Sequence, residues 1–319
     1  MKTKNQKHYT PADRKMWTGR IDGTSEEHLR WHQVITCIDL NNEQDLTGCY
    51  VILGFACDEG VRRNLGRTGA AKGPEVLIKA LSNLPVFRDK KTKLVDAGTV
   101  YCSDHQLENA QESLGYFIQL ILQRGGFPMV LGGGHEITFG HYLGLKSYSR
   151  NKLGIINFDA HFDIRKPEQE IATSGTGFYQ IAQQEEKINY LPIGIQKISN
   201  TQALFDAVKD YQINWIEAQH FHKSNSEAII QQVESFIAGI DYLYLTVDLD
   251  VFAASCAPGV SALAHNGIQP DAFFLEIFQL IISSEKLISI DIAEFNPAYD
   301  IDNRTAKLAA DLLFHIVNR

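Results

Sequence analysis

Thiol pairs are missing from this chain. Its five cysteines, Cys37, Cys49, Cys57, Cys102 and Cys256, are odd in number, and none lies in a C-x-x-C spacing. That argues against a disulfide framework and against a zinc ribbon, so a reducing compartment is expected. Long uncharged apolar runs, of the length a membrane span needs, are missing too. The opening stretch "MKTKNQKHYTPADRKMW" is polar and lacks the apolar segment of a secretion signal. Basic charge is not in excess: 30 Lys plus Arg stand against 38 Asp plus Glu, a formal net charge of -8. Nucleic acid and anionic membranes both require a basic face, so neither is an expected partner. The expectation is a soluble, cytoplasmic protein that acts on a small molecule.

No linker, repeat or low-complexity tract divides the chain after its first forty-five or so residues. Those residues are polar and irregular, with Trp17 and Trp31 as candidate anchors. They read as an N-terminal arm (1–45) packed on a single domain (46–319). Within that domain, short apolar runs alternate with stretches of helical spacing. Strands are expected at 49–57, 93–100, 127–131, 153–158, 188–195, 213–218, 242–247 and 287–292. Helices are expected at 74–84, 107–125, 137–148, 201–211, 226–239, 270–284 and 303–318, with 58–73 left as a loop. This alternation predicts an α/β fold: a three-layer α/β/α arrangement around a mainly parallel sheet, with a closed β/α barrel as the alternative.

The charges are concentrated at strand ends. The run at 127–131 leads into Gly132-Gly133-Gly134-His135-Glu136, and the run at 153–158 into Asp159-Ala160-His161-Phe162-Asp163. Asp248-Leu249-Asp250 follows 242–247, and Ala293-Glu294-Phe295-Asn296-Pro297 follows 287–292. Ligands of open parallel sheets bind at the carboxyl ends of the strands. Side chains at alternate strand positions share a face, so Asp159, His161 and Asp163 are expected to project together, as are Asp248 and Asp250. With His135 they make two imidazoles and four carboxylates. Such a set in one pocket needs counter-charge, which two divalent cations supply. A metal pair of this kind also lowers the pKa of a shared water towards neutral. Oxygen-rich ligands with a minority of imidazole and no thiolate favour two Mn2+ per chain over a structural zinc, with Zn2+, Co2+ and Fe2+ still possible.

In order and spacing, "GGGHE", "NFDAHFD", "TVDLDVFAASCAPGVSA" and "DIAEFNP" resemble the signature motifs of the ureohydrolase superfamily, which holds arginases, agmatinases and formimidoylglutamases. The likeness runs from about Tyr50 to the end. It implies the three-layer fold, a binuclear manganese centre, a homo-oligomer and hydrolysis of a C–N bond in a guanidine or amidine. The family's metal ligands fall on His135, Asp159, His161, Asp163, Asp248 and Asp250. Its acidic residue for the amidine or guanidine nitrogen falls on Glu294.

Four features resemble the formimidoylglutamase branch: "GVRRNLGRTGAAKGP", Arg165 in "HFDIR", "TSGTGFYQ" at 173–180, and "AYDIDNRTAKLAADLL" near the end. Arginases carry a proton-transferring histidine in the loop equivalent to 173–180, whereas this chain has none between His161 and His220. Tyr179 stands where the branch commonly has a basic residue. The branch's substrate carries one cationic amidine and two carboxylates, and guanidinium groups grip carboxylates bidentately. Arg62, Arg63 and Arg67 lie in one strand-end loop and Arg165 in another. Expected substrate contacts are Arg63, Arg67, Arg165, Ser174 and Thr176, with Asp163 carrying the proton to the leaving nitrogen. Two other readings are a urea-releasing guanidine hydrolase and a non-catalytic binding protein on the same fold.

Overall fold

The computed structural model describes residues 8–87 and 93–319. Ten strands form one sheet: β1 (Tyr9–Thr10), β2 (Thr36–Cys37), β3 (Cys49–Ala56), β4 (Lys93–Tyr101), β5 (Phe127–Leu131), β6 (Leu153–Phe158), β7 (Tyr190–Ile195), β8 (Ile216–Glu217), β9 (Tyr242–Asp248) and β10 (Leu287–Ala293). Ten helices accompany them: α1 (Trp31–Val34), α2 (Glu59–Arg63), α3 (Gly73–Ser82), α4 (Leu107–Gln123), α5 (Ile137–Tyr148), α6 (Gly177–Ala182), α7 (Gln202–Asp210), α8 (Ser226–Ala238), α9 (Ala272–Ile282) and α10 (Arg304–Val317). The strand order is β1-β4-β3-β5-β10-β9-β6-β7-β8, with β2 also on β4. Only β1 is antiparallel. The sheet is open, with β8 at one edge, so the fold is a three-layer α/β/α sandwich and not a barrel.

Alternation along the strands explains the layers. On β9, Leu243, Leu245 and Val247 face a core built with α3, α8, α9 and α10, while Tyr244 faces one built with α4, α5, α6 and α7. Strands with helices on both faces are apolar on both, which is why they read as continuous runs. Local chemistry sets the helix starts. Pro74 occupies the first turn of α3, where its missing N–H costs nothing. The Asp271 carboxylate accepts the N–H groups of Phe273 and Phe274, each at 3.0 Å, and so caps α9. Before β3, Trp17 and Trp31 are buried in the same core as α3.

The expected loop 58–73 contains α2, and the expected loop 173–180 runs into α6. Both helices are too short for periodicity to reveal them. Between β6 and β9 the connections diverge: the chain leaves β6 for β7 and β9 for β10, on opposite sides. Loops that part in this way open a crevice at the carboxyl ends of the strands. Register aligns those ends, with Leu131 beside Ile292, Ile292 beside Val247, and Val247 beside Phe158.

Candidate metal centre

Each strand end turns sharply, and each turn delivers ligand-type side chains. After β5 the backbone passes so near Cys57 that a Cβ at Gly133 would lie 1.7 Å from its carbonyl oxygen, so only glycine fits. The chain then enters α5, with His135 just ahead of the helix. The Glu294 carboxylate accepts the His135 backbone N–H at 2.8 Å. Glu294 and Asp163 both hold left-handed backbone angles, φ 63° and 46°. Such angles are uncommon for residues with a side chain and cluster at functional sites.

The expected pleat argument needs correction. β6 stops at Phe158, so Asp159, His161 and Asp163 lie beyond the strand. β9 stops at Asp248, and residues 249–251 form a single 3-10 turn. What brings each set together is an aspartate turn: Asp159 Oδ1 accepts the His161 N–H at 2.6 Å, and Asp248 Oδ1 accepts the Asp250 N–H at 2.8 Å. Asn157 donates to Asp159 Oδ2 at 3.0 Å. Asn200 clamps the 159–163 loop by accepting from the Phe162 N–H at 3.0 Å and donating to the Ala160 carbonyl at 2.9 Å.

The side chains then converge. His135 Nδ1 lies 2.9 Å from Asp163 Oδ2, 3.1 Å from Asp159 Oδ2 and 3.2 Å from Asp248 Oδ2. His161 Nδ1 lies 3.1 Å from Asp250 Oδ2 and 3.4 Å from Asp159 Oδ1. Two ligand groups result, His135-Asp159-Asp163-Asp248 and Asp159-His161-Asp250, each with its ligand atoms within 4.8 Å of one another. Asp159 belongs to both.

The crowded charge calls for compensation, by protons or by cations. Burial, then the charges of Asp250 and Asp159, push the Asp248 carboxyl well above its usual range. Burial and the Asp159 charge raise Asp163. Burial and the Glu136 charge raise Glu294. Only Asp159 is lowered, because its hydrogen bonds with His135 and His161 outweigh burial. Asp250 Oδ1 is buried with no hydrogen-bond partner. Orphaned carboxylate oxygen among crowded carboxylates and two imidazoles is the donor chemistry of a divalent cation pair, and these residues fit one.

The centre opens into a cavity of about 330 Å³. His161, Asp163, Asp248, Asp250 and Glu294 line its floor, and Asn64, Arg67, Arg165, Ser174, Asn200 and Ser261 are among the other lining residues.

The Arginase family model matches residues 49–318. The chain is 45% identical to a formimidoylglutamase of Nocardia farcinica over 97% of both chains, and 43% identical to that of Rhodococcus opacus over 95% of both. A Trypanosoma cruzi formiminoglutamase structure with Mn2+ superposes with a TM-score of 0.76 at 27% identity, covering 85% of this chain and 92% of that one. Formimidoylglutamase from Bacillus subtilis shares the fold, with a TM-score of 0.80 at 23% identity over 93% and 95% of the two chains. The chain belongs to the arginase family, in its formimidoylglutamase branch.

The arginines divide. Arg67 lines the cavity and is held rigidly: its guanidinium lies 3.9 Å above the Tyr299 ring and donates to the carbonyls of Ser261 at 2.9 Å and Val260 at 2.6 Å. Arg165 lies at the exposed mouth and has no side-chain ion pair among the described residues. Arg63, expected to meet substrate, is instead a strut. It binds Glu59 at 2.9 Å, Glu108 at 2.6 Å, and the carbonyls of His105 and Ala172 at 3.1 and 3.2 Å. Arg62 makes a bidentate pair with Glu59, both contacts at 2.7 Å. Ser174 lines the cavity, but the Thr176 hydroxyl is spent within its own turn, on the Thr173 carbonyl at 3.0 Å. Asn64, Asn200 and Ser261, which also line the cavity, leave no mark in the sequence, since each is a common polar residue in a loop with no repeating signal.

Among the described residues, no helix is long and apolar enough to cross a membrane.

Proposed function

We propose that this chain hydrolyses N-formimidoyl-L-glutamate to L-glutamate and formamide. The observation that carries this reading is the pairing of a carboxylate-rich centre with two guanidinium groups, Arg67 and Arg165, on the same cavity. A dicarboxylate with a cationic amidine complements that polarity end to end. The curated relatives named above support the same substrate.

Two Mn2+ ions, held by His135, Asp159, Asp163 and Asp248 and by Asp159, His161 and Asp250, would supply Lewis acidity and an acidified water. The protein's own groups do the rest. Glu294, fixed by the His135 N–H, orients the amidinium through charge-assisted hydrogen bonds. Water adds to the amidine carbon, the bond to the substrate's α-nitrogen breaks, and that nitrogen takes up a proton. Asp163 lies on the cavity wall, within reach of the reacting centre, which suits it to relay that proton from the attacking water. Arg67 and Arg165 hold the two carboxylates. We further propose that the residues from 46 onward form one catalytic domain on which the preceding arm packs.

The deciding assay offers Mn2+-loaded protein formimidoylglutamate, agmatine and arginine in parallel, measuring formamide and urea. Formamide from the first substrate alone is expected. Urea from either guanidine would replace this reading with a guanidine hydrolase.

A further inference from the structure

The core layer between the sheet and α5 contains a line of polar side chains where apolar packing is the rule. Thr246 and Tyr244 on β9 lie in register with Asp291 and Ser289 on β10, and His141 reaches them from α5. All five are fully buried. Burying so many polar groups costs free energy unless every donor and acceptor is matched. Here they are. Thr246 Oγ1 donates to Asp291 Oδ1 at 2.6 Å, and His141 Nδ1 meets Asp291 Oδ2 at 2.6 Å. The Tyr244 hydroxyl donates to the same Oδ2. His141 Nε2 meets Ser289 Oγ at 2.7 Å, and Ser289 in turn donates to the Pro128 carbonyl at 3.0 Å.

We propose that Thr246, backed by Asp291 and His141, is a positioning residue that fixes the ring orientation and proton of His135 for cation binding. This rests on the two-metal reading above. Thr246 has one hydroxyl proton, and Asp291 takes it. The Thr246 oxygen also lies 3.1 Å from His135 Nε2, where it can only accept. Nε2 must therefore carry a hydrogen, which leaves Nδ1, facing Asp159, Asp163 and Asp248, as the nitrogen that offers its lone pair once a cation displaces the proton there. A metal-bound histidine needs this arrangement, with its outer nitrogen donating to a fixed acceptor. Asp291 enforces the direction from one residue further away, and His141 and Tyr244 hold Asp291 in place. Among the described residues His161 has no equivalent backing: its Nδ1 faces Asp159 and Asp250, and no side chain accepts from its Nε2.

That asymmetry supplies the test. Mn2+ is titrated into wild-type protein and into Thr246→Val, Thr246→Ala and Thr246→Ser, with bound ions counted after equilibrium dialysis and the spin state followed by electron paramagnetic resonance. The Val and Ala variants are expected to bind one of the two ions about 10–100-fold more weakly. At intermediate Mn2+ they then show the six-line spectrum of an isolated ion in place of a coupled pair. The Ser variant, which keeps the hydroxyl, restores both ions. Equal weakening of both ions, or wild-type binding by the Val and Ala variants, overturns the role given to Thr246. A wild-type protein that takes up no Mn2+ overturns the metal reading itself, and this inference with it.

Discussion

Glu294 and His135 are tied together by a single hydrogen bond, from the His135 backbone N–H to the Glu294 carboxylate at 2.8 Å. The residue proposed to orient the amidinium is thereby positioned by the residue at the heart of the first ligand group. Both sit where neighbouring strands, β5 and β10, end at one level. In the proposed reaction this bond would register substrate and cations against each other by backbone.

Glu294→Gln tests that link. The amide still accepts the His135 N–H but loses the charge that grips an amidinium. Turnover is expected to fall about 100-fold or more, with bound Mn2+ unchanged. Steady-state kinetics beside metal analysis check this, and loss of metal would assign Glu294 to the ligand set instead.

Asp248→Asn should separate folding from metal binding. In metal-free protein this carboxylate is disfavoured by burial and by the charges of Asp250 and Asp159. Neutralising it is expected to raise the melting temperature of the metal-free form by roughly 1–2 °C, the equivalent of about 1 kcal/mol. The stabilisation that Mn2+ gives the wild type should disappear. Thermal scans with and without Mn2+ make the comparison.

Stability should also depend on pH in a stated direction. Burial and neighbouring negative charge raise Asp248, Asp163 and Glu294, and burial raises Glu136 to about 7. Burial lowers His135 and His161, but their carboxylate neighbours outweigh it and raise both. Each group holds protons in the folded chain that the unfolded chain has already released. The slope of stability against pH is then negative. For the carboxyls it begins above their ordinary range near about 4, and for the imidazoles above about 6.5. Asp159 has the opposite sign, which matters only in acid. Metal-free protein is expected to lose melting temperature from about pH 6 to pH 9. Mn2+, which displaces these protons, should restore more at the upper end. A flat metal-free profile would contradict the crowding of charge.

Arg165→Gln and Arg63→Gln should fail in different ways. Arg165 makes no side-chain ion pair among the described residues, so its loss should leave melting unchanged. KM should rise about 10–100-fold, the worth of a hydrogen bond to a charged group. Arg63 spans Glu59, Glu108 and two carbonyls away from the centre. Its loss should lower the melting temperature by several degrees and leave KM near wild type.

Residue order alone carried much of this protein. Runs such as 127–131 and 153–158 are almost wholly apolar because strands with helices on both faces must be, and 127–131 agrees with β5, whereas the strand expected to carry on through Asp163 stops at Phe158. The clustering of Asp, His and Glu was equally visible, since such residues at four strand ends have few ways to be buried without counter-charge. The two-residue strands β1 and β2 and the short helices α2 and α6 left no periodic trace, because their stability comes from what they pack against. The fate of each arginine was also hidden. Arg63 and Arg67 lie four residues apart in one loop, yet one is locked to Glu59 and Glu108 and the other stacks on Tyr299 beside the cavity. Their partners come from distant parts of the chain, so only folding could assign one to the scaffold and the other to the site. The same holds for the array behind His135, where β9, β10 and α5 must meet before a threonine can direct a proton.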